Sequence, residues 1–361
     1  MHGIGQAAVA CVNAWPGPHS CRVGVMPWWM EEGQCAGPPA ARRMLRTACV
    51  GGALRRPNLL DPAMDATPAY FDRQYNARAS VQDAAALIAR YTQHSQAAFA
   101  LPGAVRHQRY SPRPTDLLDI YLPPAQAEQG PTAPVFIYLH GGYWRALGRD
   151  DSAFMAPALT QAGAIVVVPD YDLAPAVSLD HIVDQVRQAF AWVVRNIAIY
   201  GGDARNICVC GSSAGGHLVG MLLARGWQDE YDLPASAVPA SAFPLSGLFD
   251  LQPLLHTHIN DWMRLDDAAA MRNSPRFALP DARTHGHCQL RVACGEFESR
   301  EFHRQSREYL AAWRARCLPG QWVEAPATNH FDLPLQLAEP DSIVHQTALQ
   351  LMGLSSKLAQ S

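Results

Sequence analysis

The chain has 361 residues and a mass of 39.4 kDa; 48% of the residues are hydrophobic and 17% charged, with a formal net charge of −3 and a pI near 6.5. That length can bury a sizeable core, and the near-neutral balance excludes a nucleic-acid coat or a polybasic membrane binder. No apolar run reaches the roughly 18–20 residues of a membrane span, and nine cysteines without Cys-x-x-Cys spacing speak against a disulfide scaffold or a structural zinc site and for a soluble protein of a reducing, cytoplasmic compartment.

The first 63 residues stand apart. Fifteen are Gly or Pro, four are cysteines (Cys11, Cys21, Cys35, Cys49), and their charge is +3. No helical or strand period persists there, and Trp15, Trp28 and Trp29 fall among Gly and Pro, the composition of a disordered or mis-assigned extension. The apolar stretch from Gly5 to Val12 is short, and no Lys or Arg precedes it, so it does not read as an export signal. Met64 is the natural alternative start, which leaves one catalytic domain over 64–356 and a short tail over 357–361.

From Met64 onward the pattern is regular. Helices are expected over 68–76 and 83–97, then a strand over 117–122 closed by Pro123-Pro124. Short apolar strands follow at 135–139 and 164–168, with helices at 151–162 and 179–199. A turn at Gly201-Gly202-Asp203 stops the second of these. A buried strand at 207–210 runs directly into a helix over 215–226, and further strands are expected at 238–243, 289–293 and 321–324, with a helix over 301–316 between the last two. Strands alternating with helices of 10–20 residues predict an α/β fold with a mostly parallel sheet covered on both faces.

Three motifs carry chemistry. Gly211-Ser212-Ser213-Ala214-Gly215 joins a strand to a helix, the setting of a nucleophile elbow, in which tiny residues two positions either side let strand and helix approach; this singles out Ser213 as nucleophile. Upstream, His140-Gly141-Gly142-Tyr143-Trp144 ends the strand at 135–139. Amides of Gly141, Gly142 and Ala214 are placed to stabilise the oxyanion that acyl transfer generates. His140 reads as structural. A serine hydroxyl needs a base and the base an orienting acid, in the chain order serine, acid, histidine. His330, just beyond the last strand, is the expected base, with His345 as fallback. Glu298 is the expected acid, with Glu296 and Asp250 as competitors.

These residues carry a resemblance. His140-Gly-Gly-Tyr-Trp144, Gly211-Ser-Ser-Ala-Gly-Gly-His-Leu218, Glu301-Phe-His-Arg-Gln-Ser306 and His330-Phe-Asp332 together resemble the kynurenine formamidase (arylformamidase) branch of the α/β-hydrolase fold, next to the hormone-sensitive-lipase-like esterases. The resemblance runs from about Tyr70 to Leu351, and the Tyr-Trp after His-Gly-Gly distinguishes it from general esterases. It implies hydrolysis of N-formylkynurenine to kynurenine and formate, as a step of tryptophan catabolism. Position by position it places the nucleophile on Ser213, the acid on Glu298 and the base on His330. The chain departs from the family at the acid, where the pattern has Asp.

Tyr143, Trp144, Phe249 and Phe331 fall on loops at the expected active-site edge, where they could stack on an aromatic acyl amide. His256-x-His258 and His285-x-His287-Cys288 lack matching partner spacing for a metal, and the triad needs neither metal nor cofactor. Cys208 and Cys210 are expected as buried thiols on one sheet face. The expected partner is a small-molecule substrate, with no nucleic acid or membrane; the oligomeric state is open, a homodimer included. Two other readings share the motifs: a carboxylesterase of short acyl esters, and an inactive binding protein that kept the fold.

Overall fold

A run of residues buried on both faces of a sheet needs cover on both sides, and four strands contain one: β4 (Ile165–Pro169) and β6 (Ser241–Leu245) throughout, β3 (Ala133–Leu139) from Pro134 onward, and β5 (Gly202–Ser212) from Ile207 onward. They form the middle of an eight-stranded sheet completed by β1 (Ala104–Arg109), β2 (Leu117–Tyr121), β7 (Gln289–Gly295) and β8 (Gly320–Ala325), in the order β1-β2-β4-β3-β5-β6-β7-β8. β1 and β2 run antiparallel and the remaining strands parallel. The computed structural model describes residues 67–124 and 132–354; the expectations for the 1–63 extension, a start at Met64 and the 357–361 tail lie outside the described residues. Among the described residues no helix is long and apolar enough to cross a membrane.

Alternation along the strands divides the core into two layers. Val135, Ile137, Leu139, Val167 and Val209 face the helices Leu179–Asn196 and Arg300–Ala315, packing with Ile182, Phe190, Tyr309 and Trp313. Phe136, Tyr138, Val166, Cys208, Cys210 and Phe243 face the other way, toward the helices Ala84–Phe99, Ala156–Gln161 and Ile343–Leu351. The two cysteines therefore share a face as buried free thiols, and burial raises the thiol of Cys208 to about 12.

Several expected boundaries move, each for a physical reason. The helix expected over 151–162 is only Ala156–Gln161, preceded by a single turn Arg149–Asp151. Ser95 Oγ takes the amide of Ala153 at 2.9 Å, and Arg149 turns inward to Asp119 (3.3 Å) and Asp170 (3.1 Å), so this stretch is bonded sideways. The helix expected over 215–226 is Ala214–Leu222, where Trp227 Nε1 donates to the terminal Leu222 carbonyl at 3.1 Å. β6 begins three residues and ends two residues later than expected, with Pro244 continuing the strand opposite Gly211. Gly201, at φ +82°, ends the turn after the helix Leu179–Asn196, and Gly202 already opens β5. β1 was not expected at all: Ala-Val-Arg-His-Gln-Arg is a half-exposed edge strand with a register shift and no apolar alternation.

The turn from β5 into the helix Ala214–Leu222 is a close backbone approach that only glycine allows. A Cβ on Gly215 would lie 2.0 Å from the Leu139 carbonyl oxygen, and one on Gly211 would lie 2.5 Å from the Gly215 carbonyl oxygen. Both obstacles are backbone, which cannot swing aside. Gly215→Ala is expected to destabilise the protein by about 1–3 kcal/mol or more, read as a lower urea midpoint with an unchanged slope; an unshifted midpoint would contradict this packing.

Candidate active site

Four loops at the C-terminal ends of parallel strands meet at one edge of the sheet, where open α/β sheets form their crevices. Ser213 follows β5, Gly141 and Gly142 follow β3, Glu298 follows β7 and His330 follows β8.

Ser213 sits between strand and helix at φ +58°, ψ −116°, a conformation that costs of order 1–3 kcal/mol for a residue with a side chain. Its amide is held by the Leu245 carbonyl of β6 at 2.9 Å. Fixed at both flanks, the residue projects from the sharp turn into the cavity that its side chain lines. Gly141 packs beside it: a Cβ there would fall 3.5 Å from Ser213 Cβ. Gly142 adopts φ +95°, turning the loop so that its carbonyl accepts from the Arg145 and Ala146 amides at 3.0 and 3.1 Å. Among the described residues the amides of Gly141, Gly142 and Ala214 donate to no protein acceptor. The Ala214 amide is the first of its helix, one of those without an intrahelical partner.

His330 Nδ1 lies 2.6 Å from Glu298 Oε2, and the two side chains are 6% and 1% exposed. The other carboxylate oxygen, Oε1, accepts from the Gly295 amide at 2.8 Å and from the Ser246 hydroxyl. Burial alone pushes the Glu298 carboxyl upward. The His330 imidazole, the Ser246 hydroxyl and the Gly295 amide outweigh it and hold the group below its ordinary value of 4.5. With Nδ1 engaged, Nε2 is the nitrogen left for proton transfer. No hydrogen bond joins it to Ser213 among the described residues, although both residues line one cavity; such contacts commonly tighten only around a substrate.

The competing residues go elsewhere. Glu296 is exposed and accepts from the Ala327 amide at 2.7 Å. Asp250 accepts from the Gln252 amide and lies 3.5 Å from Arg276. His345 is buried and bonded to the Leu337 carbonyl at 2.7 Å. His140 stacks flat on Tyr171 at 3.9 Å, with its Nδ1 3.0 Å from the Gly141 carbonyl, so it braces the glycine loop.

The cavity holds about 460 Å³, within the range of small-molecule sites. Tyr143 and Phe331 line it as expected. Trp144 and Phe249 do not, and these two expectations are corrected. Trp144 is fully buried with its ring edge-on to His217 at 5.0 Å, and Phe249 stacks on Tyr309 at 4.0 Å in the core. A loop position next to the site does not decide which way a ring turns. The aromatic wall comes instead from Tyr75, Tyr91, Tyr138, Phe154 and Trp262, none of which a motif flags. Tyr143 OH donates to the Tyr75 carbonyl at 2.6 Å, and Tyr91 OH donates to the Phe331 carbonyl at 2.6 Å, so the walls also fasten the loops. His258 is on the wall too, paired to Asp72 at 2.5 Å.

The depressed Glu298 carboxyl has a consequence for acid stability. A carboxyl whose folded pKa is lowered adds stability above its unfolded value, and that stability is lost as pH falls through the folded pKa. The protein should therefore lose stability as pH drops below 4.5 toward the lower folded value, and Glu298→Gln should flatten that slope. Thermal melts of both proteins across this window test it; parallel curves would contradict the assignment.

Comparison with known proteins gives concordant results. Residues 118–238 match the BD-FAE family model. Over 239 residues the chain is 36% identical to kynurenine formamidase of Danio rerio, covering 66% of this chain and 78% of that protein. It is 32% identical over 259 residues to the esterase LipQ of Mycobacterium tuberculosis, covering 64% of this chain and 60% of that one. The crystal structure of a thioesterase candidate from Silicibacter sp. TM1040 superposes with a TM-score of 0.64 at 28% identity, covering 79% of this chain and 98% of that one. By its sheet, its motifs and its extended identity to one curated relative, the chain belongs to the kynurenine formamidase family of α/β-hydrolases.

Proposed function

We propose that this hydrolase cleaves an aryl formamide, with N-formylkynurenine giving kynurenine and formate as the reaction, and that it does so as a cytoplasmic enzyme of tryptophan catabolism. The observation that carries the proposal is the Ser213–His330–Glu298 arrangement opening into a cavity walled by aromatic rings.

In this mechanism Ser213 Oγ attacks the formyl carbon while His330 Nε2 takes the hydroxyl proton. Charge then builds on the former carbonyl oxygen, where the amides of Gly141, Gly142 and Ala214 are disposed to receive it; losing one such donor typically costs about 10²–10³ in rate. As the C–N bond breaks, His330 returns the proton to the departing amine, leaving Ser213 formylated. Water attacks the formyl ester, His330 takes its proton, and collapse releases formate and restores the Ser213 hydroxyl. Throughout, Glu298 holds the imidazole in one tautomer and offsets its positive charge. An aryl group would stack against Tyr143, Phe331 and the neighbouring rings.

A carboxylesterase reading is favoured by one observation, the identity to LipQ, and it uses the same residues. The two differ in the leaving group, so kcat/KM on N-formylkynurenine and on p-nitrophenyl acetate separates them; ester turnover without formamide turnover would sink the first reading. Ser213→Ala should lower kcat by about 10⁴-fold or more, and Glu298→Gln by up to about 10⁴-fold. A serine-directed fluorophosphonate should label the wild type and not Ser213→Ala; an unlabelled wild type would instead support an inactive binding protein.

A further inference from the structure

The cavity wall carries an uncompensated positive charge. Among the described residues it is lined by Arg78 and Arg145 and by no Asp or Glu. Other arginines of this protein find carboxylates: Arg149 meets Asp119 and Asp170, Arg272 meets Asp180, and Arg304 meets Glu301. Among the described residues neither Arg78 nor Arg145 has an ion pair or a side-chain hydrogen bond. The acid near this wall, Asp72, is already held by the His258 ring and by the His258 amide at 2.7 Å.

Arg145 is nonetheless held in place. Its guanidinium lies over the Trp262 ring, 4.5 Å from the centroid, and Trp262 Nε1 donates to the Tyr143 carbonyl at 3.3 Å. A guanidinium seated over an indole face is restrained there by the ring's electrostatic attraction while its N–H groups stay available, and the planar fork of Arg is suited to bidentate capture of a carboxylate. The residue is also only three positions from Gly142, on the same loop as the proposed oxyanion donors. A simple ester or anilide without a carboxylate would leave this charge unanswered, whereas a carboxylate on the substrate would answer it.

We propose that Arg145 is a specificity-determining residue that reads a carboxylate on the substrate, with Arg78 adding to the positive field, so that the enzyme takes aryl amides bearing a carboxylate in preference to ones of the same shape that lack it. This rests on the formamidase reading for the bond that is broken, and on the cavity wall for the charge.

Binding to the Ser213→Ala protein tests it without turnover. N-formylkynurenine and its carboxamide analogue differ only in that charge, and calorimetric titration compares them directly. The acid is expected to bind about 10-fold or more tightly than the carboxamide, with the margin shrinking as salt is raised. Adding Arg145→Gln should bring the two affinities within about twofold of each other, and Arg145→Lys, which keeps the charge without the fork, should restore part of the margin. Equal binding of acid and carboxamide to Ser213→Ala, or a margin that survives Arg145→Gln, overturns the proposal. Turnover by the wild-type protein reads the other question separately: a charge preference without formamide cleavage would remove the formamidase reading alone.

Discussion

The site depends on one steric constraint, the absence of a side chain where the helix Ala214–Leu222 meets the end of β3. Gly215 lies so close to the Leu139 carbonyl that a methyl group would overlap it, and Gly211 lies as close to Gly215. That approach lets β5 turn sharply into the helix, and the sharp turn forces Ser213 into its positive-φ conformation. It also brings the first amide of the helix beside the glycine loop that follows β3. A wider turn would relax Ser213 and separate the Ala214 amide from those of Gly141 and Gly142 together. The strain is sustained because the Leu245 carbonyl holds the Ser213 amide on one side and two packed strands hold the other.

The second arm of the site is held by hydrogen bonds rather than by close packing. Glu298 is buried, a position that by itself disfavours a charged carboxylate. Three donors reverse that preference, and they come from three different strand ends: Gly295 as the last residue of β7, Ser246 after β6 and His330 after β8. The glutamate side chain is long enough to place Oε1 on Gly295 and Ser246 while Oε2 reaches His330. The His330 loop is fastened from outside as well, since Tyr91 OH bonds the Phe331 carbonyl.

The cavity wall is assembled from the most distant parts of the chain. Tyr75, at the end of the helix Pro68–Gln74, donates its hydroxyl to Glu301 and accepts from Gln305, more than 220 residues away. Glu301 is in turn paired with Arg304. The Tyr75 backbone receives the Tyr143 hydroxyl, so this buried network connects the helix Arg300–Ala315 to the glycine loop through a single tyrosine. Trp262 and His258 arrive from the segment after β6. Most of the aromatic wall of the cavity thus belongs to segments whose sequences carry no motif, while Ser213, Gly141, Gly142 and His330 belong to segments that do.

That contrast separates what was legible in the sequence from what was not. The apolar strands alternating with helices specified the sheet apart from its edge strand β1, because burial on both faces requires continuous apolar runs that are visible in one dimension and a half-exposed edge strand has none. The elbow serine, the glycine loop and the terminal histidine were legible for a similar reason: each is bound to a strand end by a fixed short offset, imposed by local backbone geometry. Among Glu298, Glu296 and Asp250 the residues alone left a choice, because selecting the acid required knowing which carboxylate lies 2.6 Å from His330. The aromatic wall, the inward turn of Trp144 and Phe249 and the seat of Arg145 over Trp262 on the cavity wall were decided only by tertiary structure. Ring direction and charge pairing are set by neighbours across the fold, and one-dimensional spacing contains no information about which neighbour a side chain will meet.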